Sequence, residues 1–237
     1  MTPDGNLLLL PKEPLANYAQ VKKCLLTAGG KYLQGSKFQF PEDAATIQQR
    51  LVGGEAIDAN AEGKELQYFP TPHALAERMI YMAGVRDGMR VLEPSAGQGH
   101  IAKIMHEKGV KVTCVEIMDQ NVQALRRTDY ENIIAGDFLA LDPSDFELFD
   151  AIVANPPFSK GRDMQHVRHM YEFLKPGGFL VTVMFPSWEY KQQKAAQEFR
   201  NWFDSVAGKR EELPEGTFKE SGTMTRTLLV TIRKPIV

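Results

Sequence analysis

The chain has 237 residues, 26.6 kDa, which fits one full domain plus an appendage. Its composition, 43% hydrophobic and 24% charged, excludes a disordered or collagen-like chain. With 28 Lys+Arg against 30 Asp+Glu the net charge is −2, which excludes a wholesale polycation but leaves room for a local basic face. The start, Met1 to Pro11, has four consecutive leucines and an Asp at position 4, so no secretory signal is expected. No apolar run approaches the ~20 residues that span a bilayer. Cys24 and Cys114 form neither a CxxC pair nor a zinc cluster, so a reducing, cytoplasmic location and no metal are expected.

Residues 1–66 read as a small wing. Leu15 to Thr27 has apolar Val21, Leu25 and Leu26 and predicts a helix, broken by Ala28-Gly29-Gly30. Lys31-Tyr32-Leu33, Gly35-Ser36 and Lys37 to Phe40 predict a hairpin. Pro41 and Glu42-Asp43 open a second helix with Ile47 and Leu51, which stops at Gly53-Gly54. Between Lys12 and Phe40 there are five lysines (12, 22, 23, 31 and 37) and Glu13 alone, either a solvated face or a phosphate-contacting patch.

From Gln67 onward, strand-like and helical runs alternate. Thr71-Pro72 opens a helix with Leu75, Met79 and Met82 on one face. Strands are expected at Arg90–Glu93, Lys111–Ile117, Asn132–Ala135, Phe149–Ala154 and Gly178–Phe185. Helices are expected at Gly99–Lys108, Met118–Arg127 and Asp163–Leu174. This alternation predicts a parallel, doubly wound sheet. A helix at about Trp188–Val206 follows, then strands at Lys209–Leu213 and Thr227–Arg233. The loop Pro214–Arg226 joins those two strands.

Glu93-Pro94-Ser95-Ala96-Gly97-Gln98-Gly99 follows a strand and opens a helix, where small residues and free N–H groups receive a ligand. The next strand ends in Glu116, placed to take both hydroxyls of a ribose. Two features favour S-adenosylmethionine over NAD. Glu93 is unwelcome beside a pyrophosphate but compatible with an ammonium and a sulfonium. Asp137-Phe138, after the third strand, can accept from an adenine amino group and pack on its ring.

The fourth strand ends in Asn155-Pro156-Pro157-Phe158. An exocyclic base nitrogen is a poor nucleophile because its lone pair is delocalised. Two acceptors aimed at its protons, the Asn155 side-chain oxygen and the Pro156 carbonyl, favour a localised lone pair. Pro157 restricts Pro156 to an extended conformation. Phe158 offers a face for a base, worth ~1–3 kcal/mol.

With these motifs in place, residues 67–235 resemble the class I S-adenosylmethionine-dependent methyltransferases, and among them the N6-adenine DNA methyltransferases. Asn155 to Phe158 is similar to their catalytic (D/N/S)PP(Y/F/W) motif, and Glu93 to Gly99 to their first cofactor motif. Tyr68 to Pro72 resembles the segment that holds the cofactor's methionine part. Gly177-Gly178-Phe179-Leu180 and Phe185-Pro186 resemble the fifth strand and the loop after it. The motif order resembles the gamma arrangement. The wing, with Ala28 to Lys31, and the Phe69 to Pro72 run are similar to phage- and plasmid-borne members.

The resemblance implies a Rossmann-like seven-stranded sheet, mostly parallel with an antiparallel last strand, and a methyltransferase domain over 67–237 behind the 1–66 wing. It implies cofactor contacts from Phe69, Thr71, Glu93, Ser95, Ala96, Gly97, Gly99, Glu116, Ile117, Asp137, Phe138 and Asn155. Catalysis falls to Asn155, Pro156 and Phe158. Substrate contacts fall to Pro157, Phe158, Phe218, Lys160 and Arg162. Phe218 is expected to close over a flipped base as a loop aromatic does in that family. Double-stranded DNA with a flipped adenine is the expected partner.

The same chemistry on RNA adenine or on a protein glutamine is the alternative. A nicotinamide oxidoreductase is disfavoured by Glu93 and Asp137, and a non-catalytic nucleic-acid-binding module by the intact catalytic motif. No large target-recognition domain follows that motif, which predicts a target of roughly one to three defined bases. His166 and His169 are expected as polar positions near a nucleic-acid surface with Lys160, Arg162 and Arg168, and Cys114 as core.

Overall fold

The computed structural model describes residues 1–11, 15, 17–41, 43–54, 69–219 and 226–236. Expectations on Lys12, Glu13, Glu42, Tyr68 and residues 220–225 lie outside the described residues. The chain divides into two compact units, Met1–Leu66 and Gln67–Val237.

In the first unit, strands β1 (Thr2–Asp4), β2 (Leu7–Leu9), β3 (Lys31–Leu33) and β4 (Lys37–Gln39) pair antiparallel in the order β1-β2-β4-β3. Leu8 and Phe38 face each other across β2 and β4. They bury their side chains with Leu25 of α1 (Tyr18–Thr27) and Ile47 of α2 (Ala44–Val52). Asp43 caps α2, its carboxylate accepting from the Thr46 N–H at 3.0 Å. The sequence pattern does not predict the β1–β2 hairpin. Its turn carries Gly5 at φ 56°, and the Leu7–Leu10 run supplies its second strand.

The second unit holds a seven-stranded sheet. Its strands are β5 (Arg90–Glu93), β6 (Lys111–Glu116), β7 (Asn132–Ala135), β8 (Phe149–Ala154), β9 (Leu174–Met184), β10 (Lys209–Glu212) and β11 (Leu228–Arg233). The order is β10-β11-β9-β8-β5-β6-β7; β11 runs antiparallel to β9 and β10, and β5 to β9 are mutually parallel. This is the expected Rossmann-like methyltransferase sheet with its antiparallel strand. Successive strand residues face opposite sides. Val91, Val153 and Val181 pack with α3 (His73–Met82) and α4 (His100–Glu107). Leu92, Ile152 and Leu180 pack with α6 (Arg162–Glu172) and α8 (Lys194–Ser205). The remaining helices are α5 (Asp119–Leu125) and the short α7 (Ser187–Tyr190).

Two elements depart from expectation. β9 starts at Leu174 rather than Gly178, with its register against β8 shifted between Phe149 and Ala151, where Gly177 takes φ 81°. The helix expected over Trp188–Val206 is broken into α7 and α8. In a straight helix, residues 188 and 199 would lie about 16 Å apart along the axis. The break lets the Trp188 ring fold to 5.1 Å from Phe199 and from Phe203.

Candidate active site

In a parallel sheet the carboxyl ends of all strands open on one edge, and the sequence motifs sit there. β5 ends in Glu93, β6 in Glu116, β7 is followed by Asp137, and β8 by Asn155.

The first loop is a tight turn. The Ala96 N–H donates to the Val115 carbonyl at 3.0 Å, and the Gly99 N–H to the Ala96 carbonyl at 2.8 Å. Gly97 and Gly99 are left-handed (φ 54° and 84°), and a Cβ at Gly99 would lie 2.9 Å from the Tyr130 hydroxyl. The backbone conformation therefore demands both glycines, and packing demands Gly99 as well. Glu116 braces the turn from below. Its Oε2 accepts from the Gly97 N–H at 2.6 Å and its Oε1 from the Met118 N–H at 2.7 Å. Ile117, directly after β6, is 43% exposed, an unusual state for an isoleucine that follows a core strand.

Glu93 is 2% exposed, and its Oε2 is buried without a partner. Burial pushes its carboxyl well above the ordinary range, with the Glu116 charge adding to the effect. A cation placed there would relieve both penalties. The residues thus fit S-adenosylmethionine: a carboxylate with one unpartnered oxygen for positive charge, Glu116 for a ribose diol, and a bare Ile117 for a flat heterocycle.

Each Asp137 oxygen holds one hydrogen bond. Its Oδ1 accepts from the Leu139 N–H at 3.0 Å, capping a short 3-10 turn, and its Oδ2 from Arg162 Nη2 at 2.8 Å. Phe138 is 2% exposed, its ring centroid 4.8–5.6 Å from those of His166, His169 and Phe173. It is held in the core rather than standing as a free face, because the 3-10 turn directs it under the sheet edge.

Asn155 follows β8. Its Nδ2 donates to the Phe69 carbonyl at 2.8 Å and to Thr71 Oγ1 at 3.1 Å. Its Oδ1 is buried with no partner. Pro156 and Pro157 are buried. Phe158 is 5% exposed, centred 6.3 Å from a near-parallel Phe69 ring and 4.4 Å from Phe185. A base stacking on Phe158 has to displace one of these two rings. Phe69 and Thr71, expected only as cofactor contacts, are here the groups that fix the Asn155 amide.

Several expected surface residues sit elsewhere. Phe218 is 1% exposed within the core that holds Leu213 and Leu229, so it packs the sheet instead of standing in solvent. Arg162 turns inward to Asp137. The Arg168 guanidinium lies over Trp202 at 5.7 Å, and Lys160 is exposed. His166 is not a surface residue. It is 3% exposed, with Nδ1 3.4 Å from Ser95 Oγ and Nε2 unpartnered. Burial and the Arg162 charge lower its pKa to about 4, so it is neutral at pH 7. His169 Nε2 lies 2.9 Å from the Leu141 carbonyl. Among the described residues no group of three potential ligands could hold a metal ion.

The sequence pattern alone does not reveal what Arg162, Asp163 and His166 share. They lie within two turns of α6 and tie it to three strand-end loops. Arg162 reaches Asp137, the Asp163 carboxylate accepts from the Phe185 N–H at 3.1 Å, and His166 faces Ser95. The i, i+4 spacing of Arg162 and His166 is the one local signal of it.

Residues 75–211, more than half of the chain, match the model of the methyltransferase small domain. The chain belongs to this family. Its members' cofactor, S-adenosylmethionine, is the one the strand-end residues fit. The chain is 28% identical over 119 residues to the S-adenosyl-L-methionine-dependent Diels-Alderase iccD of Talaromyces variabilis, covering 46% of this chain and 40% of that protein. It is 33% identical over 114 residues to ribosomal RNA small subunit methyltransferase C of Chromohalobacter salexigens, covering 43% and 34%. It is 31% identical over 106 residues to the type II methyltransferase M.TthHB8I of Thermus thermophilus, covering 44% and 24%. The chain thus spans less than half the length of each of these relatives. Among solved structures, TrmN from Thermus thermophilus superposes with a TM-score of 0.54 at 17% identity, covering 84% of this chain and 57% of that one, a likeness of fold. Among the described residues no helix is long and apolar enough to cross a membrane.

Proposed function

We propose that the protein transfers the methyl group of S-adenosylmethionine to an exocyclic amino nitrogen of a nucleobase within a nucleic acid. The observation that carries this reading is the Asn155 amide. Its Nδ2 is committed to Phe69 and Thr71, which leaves the buried Oδ1 as an acceptor with no bond to give up. Once a base has displaced the Phe69 or Phe185 ring, an acceptor whose amide is already oriented favours the localised lone pair that attacks a methyl group. When bound, S-adenosylmethionine would supply the methyl group and leave as the thioether S-adenosylhomocysteine. Asn155 would hold the amino group, and the alkylated nitrogen would lose its proton to water.

Within this class, N6 of adenine in DNA is the reading supported by the Asn155 to Phe158 motif, and base flipping is its requirement. RNA is supported by the 33% identical ribosomal RNA methyltransferase, and we rank it first. The wing, with Lys22, Lys23, Lys31 and Lys37, supplies phosphate contacts in either case. The deciding experiment incubates the protein with labelled cofactor and, separately, total RNA, double-stranded DNA and protein. Label in a base-methylated nucleoside of RNA or DNA supports the reading. Label confined to protein contradicts it.

A further inference from the structure

We propose that Arg162 is a positioning residue for the adenine end of the cofactor, acting through Asp137, and is not a contact to nucleic-acid phosphate. The inference rests on the reading of this strand edge as the cofactor site.

The chain reaches Arg162 through two left-handed residues, Lys160 (φ 53°) and Gly161 (φ 75°). This reversal starts α6 with Arg162 beneath the loop that follows β7. There its Nη2 donates to Asp137 Oδ2 at 2.8 Å, while Oδ1 is held by the Leu139 N–H. The pair has side-chain exposures of 27% and 35%, so it is partly withdrawn from solvent. A guanidinium already neutralised by a carboxylate offers a phosphate no net charge unless the pair breaks. Each Asp137 oxygen keeps a second lone pair, and an amino group of a heterocycle lying on Ile117 is the kind of donor those lone pairs take. The two fixed bonds stop the carboxylate from rotating, so the lone pairs point one way before any ligand arrives.

The rest of the helix supports the same direction. His166, one turn on, is buried against Phe138, with Nδ1 facing Ser95 of the glycine loop. Arg162 and His166 thus both face loops assigned to the cofactor. Arg162 stands four residues after Phe158, so the segment that leaves the catalytic loop ends beside Asp137.

The test uses the full chain and two variants, Arg162→Gln and Arg162→Lys. Affinities for S-adenosylhomocysteine and for adenosine are measured by calorimetry, and affinity for a fluorescent RNA or DNA oligonucleotide by anisotropy. Loss of a charge-assisted bond of this kind should weaken both small ligands about tenfold in Arg162→Gln. Arg162→Lys should recover part of that loss, and oligonucleotide affinity should change less than about twofold in either. In an Asp137→Asn background, Arg162→Gln should have little further effect on adenosine. Unchanged small-ligand affinity with weakened oligonucleotide binding would overturn the proposal and restore a phosphate contact. If Arg162→Gln fails to fold, Arg162→Lys decides by the same pair of readings. A wild-type protein that binds neither S-adenosylmethionine nor S-adenosylhomocysteine would instead defeat the proposed function itself.

Discussion

The side-chain amide of Asn155 donates to the backbone carbonyl of Phe69 at 2.8 Å, across 86 residues of chain. That bond, with the second one to Thr71, fixes which way round the amide sits. The segment before β5 therefore sets the polarity of the group that follows β8.

Asn155→Ala removes the oriented acceptor. Loss of one preorganised hydrogen-bonding group at a reacting centre typically costs ~10²–10³ in turnover. We expect kcat to fall by that factor, with S-adenosylmethionine affinity by calorimetry within a few fold of wild type. Near-normal turnover would remove Asn155 from the mechanism.

Glu116→Gln replaces two acceptors with one acceptor and one donor. The donor would face either the Gly97 or the Met118 N–H, now bonded at 2.6 and 2.7 Å. The glycine turn should loosen and the ribose contact weaken. Calorimetry should show cofactor affinity reduced at least about tenfold, with a lower Tm for the apo protein. Unchanged affinity would mean that the ribose is held by another group.

Asp163 and His166 oppose each other in acid. Burial raises the Asp163 carboxyl from 3.8 to about 6, so between those values the folded chain binds the extra proton and stability falls as pH rises. His166 is lowered from 6.5 to about 4, so there the unfolded chain binds the extra proton and stability rises with pH. Relative to wild type, Asp163→Asn should lose stability as pH drops from about 6 to 4, and His166→Gln should gain it. Glu93 titrates alike in all three proteins and drops out of the differences. Urea unfolding at pH 4, 5, 6 and 7 measures both slopes, and parallel curves would refute the assignment.

The wing lysines make a separate prediction. Lys22 lies 4.5 Å from the Tyr32 ring centroid, and Lys23 and Lys31 are exposed. Replacing all three with Ala should weaken oligonucleotide binding. It should also reduce the slope of log affinity against log salt by about 1 for each phosphate no longer bound. Cofactor affinity should not move. A wild-type slope in the triple variant would make these lysines a solvated face.

The order of strands and the strand-end motifs are legible in the sequence because a parallel sheet writes both into local patterns. Apolar runs mark strands, and the acid, glycine and Asn-Pro-Pro signals follow them directly. What is not legible depends on non-local packing. Phe218 reads as a loop aromatic, but β11 and Leu213 enclose it. Arg162 and His166 read as surface groups after a catalytic loop, but the left-handed Lys160 and Gly161 turn the helix so that both face inward. The break before α8 is set by Trp188 seeking Phe199 and Phe203, a contact no local periodicity encodes. The β1–β2 hairpin is hidden because strands of three residues carry too little pattern to separate from a loop.

The atom that receives the methyl group decides the proposed function. The protein is incubated with methyl-labelled S-adenosylmethionine and, separately, RNA and double-stranded DNA. The polymer is then digested to nucleosides, which are resolved by mass spectrometry. Label is expected on an exocyclic amino nitrogen of a base, incorporated ~10²–10³ times more slowly by Asn155→Ala. Label on a ring carbon or on the ribose, or transfer at a near-normal rate in Asn155→Ala, would contradict the proposed function.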